Sequence, residues 1–462
     1  MIGLEIHAQL NKLNTKIFCG CSTAYHESEP NTHTCPICLG LPGSLPRVNE
    51  KVVESGIKIG LALNCSISSD TQFHRKNYYY PDLPKGFQTS QYDNPVAEKG
   101  FVLLGGKKIG ITRAHIEEDP GRLVHIGSIE KSRGTRIDYN RSGMALIEIV
   151  TEPDMTSPKE ARLFLDKLRN ILEYLSVFDG SKEGAMKMDA NVSIMGGERA
   201  EVKNISSHKG LEKAILYEIM RQKNVLRRGG KVVLETRHFD EARGVTISLR
   251  VKEESHDYRY FPEPDLVPMM LLDRIDSIRE TIPELPDAKY ARFISQYGIQ
   301  SMHSKSLTSD IKVALFYEEC ASMIDPIICA SWIADVLKGE LNYRSKSIDS
   351  FKVSDLVKII SMVIEDNITE NSAIEVIRTM LDADEYKAPL EIINEKGLGK
   401  VETNAVDIAI KEVLFENEDA IKDYLDGKEQ SLNFLVGQVM KKTRGRADAK
   451  DVREIIIKDI KI

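Results

Sequence analysis

"GLEIHAQL", residues 3–10, sets small, charged and polar residues in strict alternation with aliphatic ones. In an extended strand successive side chains leave opposite faces, so Gly3, Glu5, His7 and Gln9 share one surface while Leu4, Ile6 and Ala8 point to the core. Such a strand belongs to a sheet with one face packed and one open. Further short alternating stretches follow between turns, at "NVSI" (191–194), "VTISLRV" (245–251) and "DYRYF" (257–261). Two stretches have helical spacing instead: Ser157–Tyr174, opening on the start signal Ser157-Pro158, and Leu211–Leu226. The first 285 or so residues therefore predict a mixed α and β domain centred on an antiparallel sheet.

After "TIPELPDAKY" (281–290) glycine thins out and amphipathic stretches follow one another to residue 395. This predicts an all-α domain. "EKGLGKVET" (395–403) has the glycines of a linker or domain edge. Beyond it Leu432, Leu435, Val436 and Val439 mark one face of a helix, Gly445 stands where a C-terminal cap would, and a last helix begins near Asp448. The expected fold is α+β, in three parts: 1–288, 289–395 and a small helical tail, 396–462.

A chain of 462 residues with 42% hydrophobic and 29% charged residues has the composition of an ordinary globular protein of two to four domains. Its net charge of −7 argues against a uniformly basic nucleic-acid binder. The sign is uneven, however. Residues 439–462 carry Lys441, Lys442, Arg444, Arg446, Lys450, Arg453, Lys458 and Lys461 against Asp448, Asp451, Glu454 and Asp459. A cationic end on an acidic chain can meet a phosphate backbone. The opening "MIGLEIHAQLNK" has no basic start with an apolar core, and no apolar run reaches the roughly 18 residues that span a bilayer. We expect an intracellular protein with no membrane partner.

Thiols stay reduced in that compartment, which bears on "KIFCGCSTAYHESEPNTHTCPICLGLP" (16–42). Its Cys19-x-Cys21 and Cys35-x-x-Cys38 form two close pairs separated by a loop, the spacing that tetrahedral zinc selects. Four protein ligands leave no open position for water or substrate, so the zinc is expected to be structural. Cys65, Cys320 and Cys329 stand apart as small buried residues.

The chemistry is then sought among the carboxylates. "RAHIEEDPG" (113–121) reads by itself as an acidic loop. "DYNRSGMALIEIVTEPD" (138–154) places Glu148 inside the apolar run Leu146–Val150, where an ionised carboxylate needs a compensating charge. Either an arginine pairs with it or it faces a cleft and a cation. Asp189 in "KMDANVSI" has a similar setting. Hard oxygen ligands from several segments, with one histidine, suit Mg²⁺. Cations and aromatics accompany them: Arg75 and Lys76 in "HRKNYYYPDLPKG" (74–86), Lys203 in "EVKNISS", and Arg259 in "RVKEESHDYRYFPEPDL" (250–266). Cations and Mg²⁺ converging on one cleft are what phosphoryl transfer needs. There is no G-x-x-x-x-G-K-[ST] loop, no kinase-type glycine loop and no clear serine-nucleophile motif.

Taken in order, "GLEIHAQL", "RKNYYYPDLPKG", "HIEEDPG", "DYNRSGMALIEIVTEPD", "DANVSI", "EVKNISS" and "DYRYFPEPDLVP" closely resemble the B subunit family of the aspartyl/glutamyl-tRNA(Asn/Gln) amidotransferases, and "FLVGQVMKKTRG" (434–445) resembles that family's tail. The resemblance implies a cradle-shaped catalytic domain with a zinc knuckle, a helical domain and a tail. It implies a subunit that binds tRNA misacylated with Asp or Glu and uses ATP and Mg²⁺ to phosphorylate the side-chain carboxylate. Ammonia from glutamine, released on a separate glutaminase (the amidase, or A, subunit) with a small C subunit to brace the pair, then gives the amide. Carried over residue by residue, Glu5 and His7 match the Glu and His that approach Mg²⁺, and Glu118, Glu148 and Asp189 match acids around the same site. Lys76 matches the lysine near the phosphate, while Arg75, Lys203 and Arg259 fall to nucleotide binding. Ala145, Lys187 and Ser206 depart from the commoner residues. The run from "DYRYFPEPDL" to "PELPDAKY" leaves no room for the synthetase-like insertion of the related archaeal E subunit. A non-catalytic RNA-binding scaffold and a Mg²⁺-dependent phosphoester hydrolase are the competing readings; ATP turnover dependent on misacylated tRNA separates the first, and activity without tRNA would favour the second.

Overall fold

The computed structural model describes residues 1–126, 134–182, 184–251, 258–400, 403–443, 446–447 and 449–460. They form two compact units, Met1–Leu285 and Pro286–Ile462. No described helix is long and apolar enough to cross a membrane.

In the first unit the strands run β1 (Ile2–Gln9), β2 (Ser66–Ile67), β3 (Asp70–Thr71), β4 (His74–Asn77), β5 (Phe87–Ser90), β6 (Ala97–Leu104), β7 (Lys107–Asp119) and β8 (Arg122–His125). They continue as β9 (Thr135–Asp138), β10 (Met144–Thr151), β11 (Met186–Val192), β12 (Ala200–Ile205), β13 (Glu235–Asp240), β14 (Val245–Val251), β15 (Phe261–Pro262) and β16 (Met269–Met270). Among them α1 (Glu50–Ala62), α2 (Pro158–Tyr174), α3 (His208–Arg227) and α4 (Leu272–Glu280) are inserted. Nine of the described strands make one sheet in the order β14-β13-β12-β11-β1-β10-β7-β6-β2. Strand β1 therefore lies near its middle, as its two-faced pattern requires. The expected strand at 257–261 is shorter: Phe261–Pro262 pair with β4, Tyr258–Tyr260 are irregular, and Asp257 lies outside the described residues.

Neighbours in this sheet are antiparallel except β12 and β13. These two are parallel because α3 lies between them in sequence, and a parallel pair needs such a crossover. Leu4, Ile6 and Ala8 of β1 are buried in a core shared with Phe164, Leu168 and Leu172 of α2 and Leu211 and Ile215 of α3. Ser157 and Ser207 cap α2 and α3 by accepting from Glu160 and Gly210 backbone N–H groups at 3.1 and 2.9 Å. Helix α1 approaches the sheet through Gly60, where a Cβ would stand 2.5 Å from Ala97 Cβ.

The second unit is helical throughout: α5 (Pro286–Tyr297), α6 (Ser301–Leu307), α7 (Ile311–Ala321), α8 (Pro326–Ser331), α9 (Lys338–Tyr343), α10 (Val353–Ile364), α11 (Glu370–Asp382) and α12 (Pro389–Lys396). Then come α13 (Thr403–Glu416), α14 (Glu418–Leu425), α15 (Glu429–Lys442) and α16 (Ala449–Ile460). The last four close a core of their own around Ile410, Leu435, Val439, Val452 and Ile456. Gly445 and Asp448, expected as cap and helix start, lie outside the described residues.

Candidate active site and metal centre

Register builds the site. Strand β1 sets His7 opposite Glu148 of β10 on one side and Lys187 of β11 on the other, while Glu5 stands opposite Asp189. On β7, His115 is opposite Glu148. Residues directly opposite in an antiparallel pair leave the same face, so His7, Glu148 and His115 converge on the sheet's polar side, and Glu117, two residues along β7, joins them. His7 Nε2 lies 3.2 Å from Glu148 Oε2 and 3.5 Å from Glu117 Oε1. His115 Nε2 approaches the same Glu148 oxygen from behind at 3.2 Å, and Glu117 Oε2 at 3.9 Å.

These carboxylates are buried, Glu117 at 2% and Glu148 at 8% exposure. Burial drives the Glu117 carboxyl above its ordinary range, with His7 pulling the other way. Glu148, although burial opposes it, is held well below that range by His115 and His7. Burial would lower His7, but Glu148 and then Glu117 push it up to about 9. His7 and Glu148 thus favour each other's charged form, while burial disfavours charge on Glu117. The donor atoms of His7, Glu117 and Glu148 lie within 4.8 Å of one another, close enough to share a divalent cation, the two carboxylates as hard oxygen donors and the imidazole as a donor once neutral.

Glu5, Asp189 and Glu201 form a second acidic group within the same limit. Lys203 Nζ already sits among them, 3.3 Å from Asp189 and 3.0 Å from Glu201, and Asn191 donates to Glu5 at 2.9 Å. Burial, then Glu148 and Glu201, raise the Glu5 carboxyl. Lys76 faces the first group from β4. Its Nζ lies 5.0 Å from the Tyr258 ring centre and 5.8 Å from that of Tyr78. Burial would neutralise it, but Tyr260, Glu117 and Glu148 hold its pKa above the ordinary lysine value.

The structure thus brings Glu5, His7, Lys76, Glu148, Asp189 and Lys203 to one face. Glu118 is not among them. Odd and even residues of β7 alternate, and Glu118 turns away from this group to the segment around β5, where it meets Lys85 Nζ at 2.5 Å and accepts from Thr89 N–H at 2.7 Å. Glu117 takes the place on the polar face. Arg75 is also engaged elsewhere: its guanidinium forks onto Glu263 at 2.6 and 2.7 Å and lies over Phe87. Arg259 is exposed, and Ser206 donates to Glu241 at 3.1 Å. His115 and Glu117 escaped the sequence reading, because only the pairing partner tells which members of "HIEED" face which way, and Glu201 escaped it because nothing in "EVKNISS" sets its first residue apart from a solvated one.

The four cysteines do meet, their sulfurs within 4.8 Å of one another. Buried Lys16 donates to His33 O at 2.8 Å and reaches Cys38 Sγ at 3.7 Å, and Cys35 N–H donates to the same sulfur at 3.2 Å. The hydrogen bond from the Cys19 thiol, against burial and with the help of Lys16, lowers Cys38 to about 5. A buried cation and an amide aimed at sulfur favour thiolates, the form that binds metal. Gly143, at φ +81°, brings the start of β10 against the knuckle, where its Cβ would stand 3.3 Å from Cys38 Cβ.

Residues 1–276, which hold the whole of this site, match the family described as "GatB/GatE catalytic domain". The chain belongs to that family. Residues 315–460 match a second description, "GatB domain". Among curated GatB relatives, the B subunit of the aspartyl/glutamyl-tRNA(Asn/Gln) amidotransferase of Methanococcoides burtonii is 66% identical, over 100% of this chain and 98% of its own length. The protein of the same name in Methanosarcina mazei is 63% identical over 100% and 98%. That of Halobacterium salinarum is 50% identical over 99% and 96%.

Proposed function

We propose that this chain is the phosphorylating subunit of a tRNA-dependent, glutamine-hydrolysing amidotransferase of the cytoplasm. It works with a glutaminase (the amidase, or A, subunit), a small C subunit, and tRNA misacylated with Asp or Glu. The observation that carries this reading is the buried His7–Glu117–Glu148 group with Lys76 beside it, a centre built to gather positive charge around an anionic reaction. A side-chain carboxylate oxygen of the aminoacyl-tRNA attacks the γ-phosphorus of ATP, ADP leaves, and an acyl phosphate forms. Ammonia then adds to the activated carbonyl, phosphate departs with the bonding pair, and the amide of Asn-tRNA or Gln-tRNA remains after proton loss.

His7, Glu117 and Glu148 would hold Mg²⁺, with Glu5, Asp189 and Glu201 beside them. When bound, Mg²⁺ supplies charge neutralisation for the transferring phosphoryl group. Lys76, kept ionised among tyrosine rings and carboxylates, adds a fixed positive charge that needs no reorganisation as the negative charge develops. Lys203 keeps Asp189 and Glu201 from repelling one another. His115 aims Glu148 from behind. The Cys19–Cys21–Cys35–Cys38 knuckle would hold a structural zinc, and residues 396–462 would bind tRNA as a tail domain after the helical domain of 289–395. The complex of this chain with both partner proteins should form amide on Asp-tRNA(Asn), Glu-tRNA(Gln) or both, only with ATP and Mg²⁺. ATP hydrolysis without any amide product on either tRNA would refute the reading.

A further inference from the structure

Beside Lys76 runs a row of aromatic rings that the reaction does not use. Tyr258 and Tyr260 stand edge to face at 6.3 Å, and Tyr260 stacks on Tyr92 with centroids 4.2 Å apart and planes 12° from parallel. A row of this kind made only for packing would be covered, yet Tyr92 is 41% exposed. Phe261, next to Tyr260 in sequence, is exposed as well. Between the two tyrosines Arg259 adopts φ +44°, a left-handed conformation that side chains with a Cβ avoid. Asn77 locks it there by donating to the Arg259 carbonyl at 2.8 Å. Arg259 is exposed, whereas Tyr258 and Tyr260 on either side of it in sequence are half-buried. Strained residues held by their surroundings cluster at ligand clamps.

We propose that Tyr258, Arg259, Tyr260 and Tyr92 form a platform for an adenosine: the rings stack on the base and Arg259 meets the adjoining phosphate. The inference rests on the function proposed above, which offers two sources of that nucleoside: ATP itself and the 3′-terminal adenosine of the tRNA. Aromatic rings serve every base through its π-face, and Arg adds a charge that suits phosphate. The row begins at Lys76, 5.0 Å from the Tyr258 ring, so the platform leads directly into the carboxylate centre.

The test uses the complete complex carrying Tyr260→Leu, Tyr92→Leu or Tyr260→Phe. Two affinities are measured: for the β,γ-imido analogue of ATP, and for uncharged tRNA with and without its terminal adenosine. Both leucine variants should lose about tenfold, the scale of one stacked base, while Tyr260→Phe keeps wild-type affinity. A loss confined to the nucleotide assigns the platform to ATP. A loss confined to intact tRNA, with tRNA lacking its last adenosine unaffected, assigns it to the acceptor end. Unchanged affinities in both arms, in leucine variants that retain their helix content and metal, overturn the platform, as does a phenylalanine variant as weak as leucine. If such variants bind normally while the wild-type complex makes amide, only this inference falls; a wild-type complex that makes none removes the functional reading and the platform with it.

Discussion

At the scale of single residues, the sharpest contrast is between two neighbours. Glu117 faces His7 and Glu148, whereas Glu118 faces Lys85 and Thr89. Glu117→Gln removes ligand charge with little change of volume and should weaken Mn²⁺ or Mg²⁺ binding by about tenfold or more. Glu118→Gln should leave metal affinity within about twofold. Equilibrium titration with Mn²⁺ followed by electron paramagnetic resonance reads both; equal losses would remove the distinction. Glu148→Gln should likewise abolish phosphorylation of the aminoacyl side chain while keeping tRNA affinity, and wild-type ATP turnover in that variant would exclude Glu148 from the metal site. Alternation along "GLEIHAQL" was enough to place Glu5 and His7 together, and the cost of a lone charge in an apolar run singled out Glu148. It was not enough for "HIEED", since three consecutive acids alternate whichever way the strand is turned. Their phase comes from β10, set by Glu148 opposite His115.

Among the elements, two glycines fix how pieces meet. A side chain at Gly60 would overlap Ala97, so Gly60→Val should force α1 off the sheet and cost about 1–3 kcal/mol, seen as a lower urea midpoint with an unchanged slope. A midpoint like wild type would mean that α1 shifts freely. At the knuckle, which Gly143 lets β10 approach, Cys35→Ser should lose the metal and lower the melting temperature of the first unit without altering the chemical step in protein that stays folded. Stoichiometric zinc in that variant, measured by atomic absorption, would contradict the four-sulfur site. Helix α2 was legible because a Ser-Pro start preceded a regular apolar stripe, and Ser157 does cap it. The parallel pairing of β12 with β13 was not legible. Strand patterns carry no direction, and the crossover shows only once α3 is seen to connect the two paired strands.

For the whole molecule, the cationic count of the tail overstates what can reach a phosphate. Lys442 is bound to Glu412 and Glu416, Arg446 to the Gly397 carbonyl and Arg453 to Asn433. Deleting residues from about 400 onward should still weaken tRNA binding, and it removes a self-contained core rather than opening one. The log–log salt slope should fall by roughly 0.7–0.9 for each contact removed, with fewer contacts than the eight cations of 439–462 would suggest. Filter binding at several salt concentrations decides it, and an unchanged slope would exclude the tail from RNA contact. Strand β1 is flanked by β10 and β11, so the residues holding Glu5 and His7 are translated well before either partner, which end at Thr151 and Val192. At about 5–20 residues per second that strand waits on the order of 10 s with both edges unpaired. A nascent fragment that stops short of β11 can carry all four knuckle cysteines and β10, yet β1 still has one unpaired edge open to other chains.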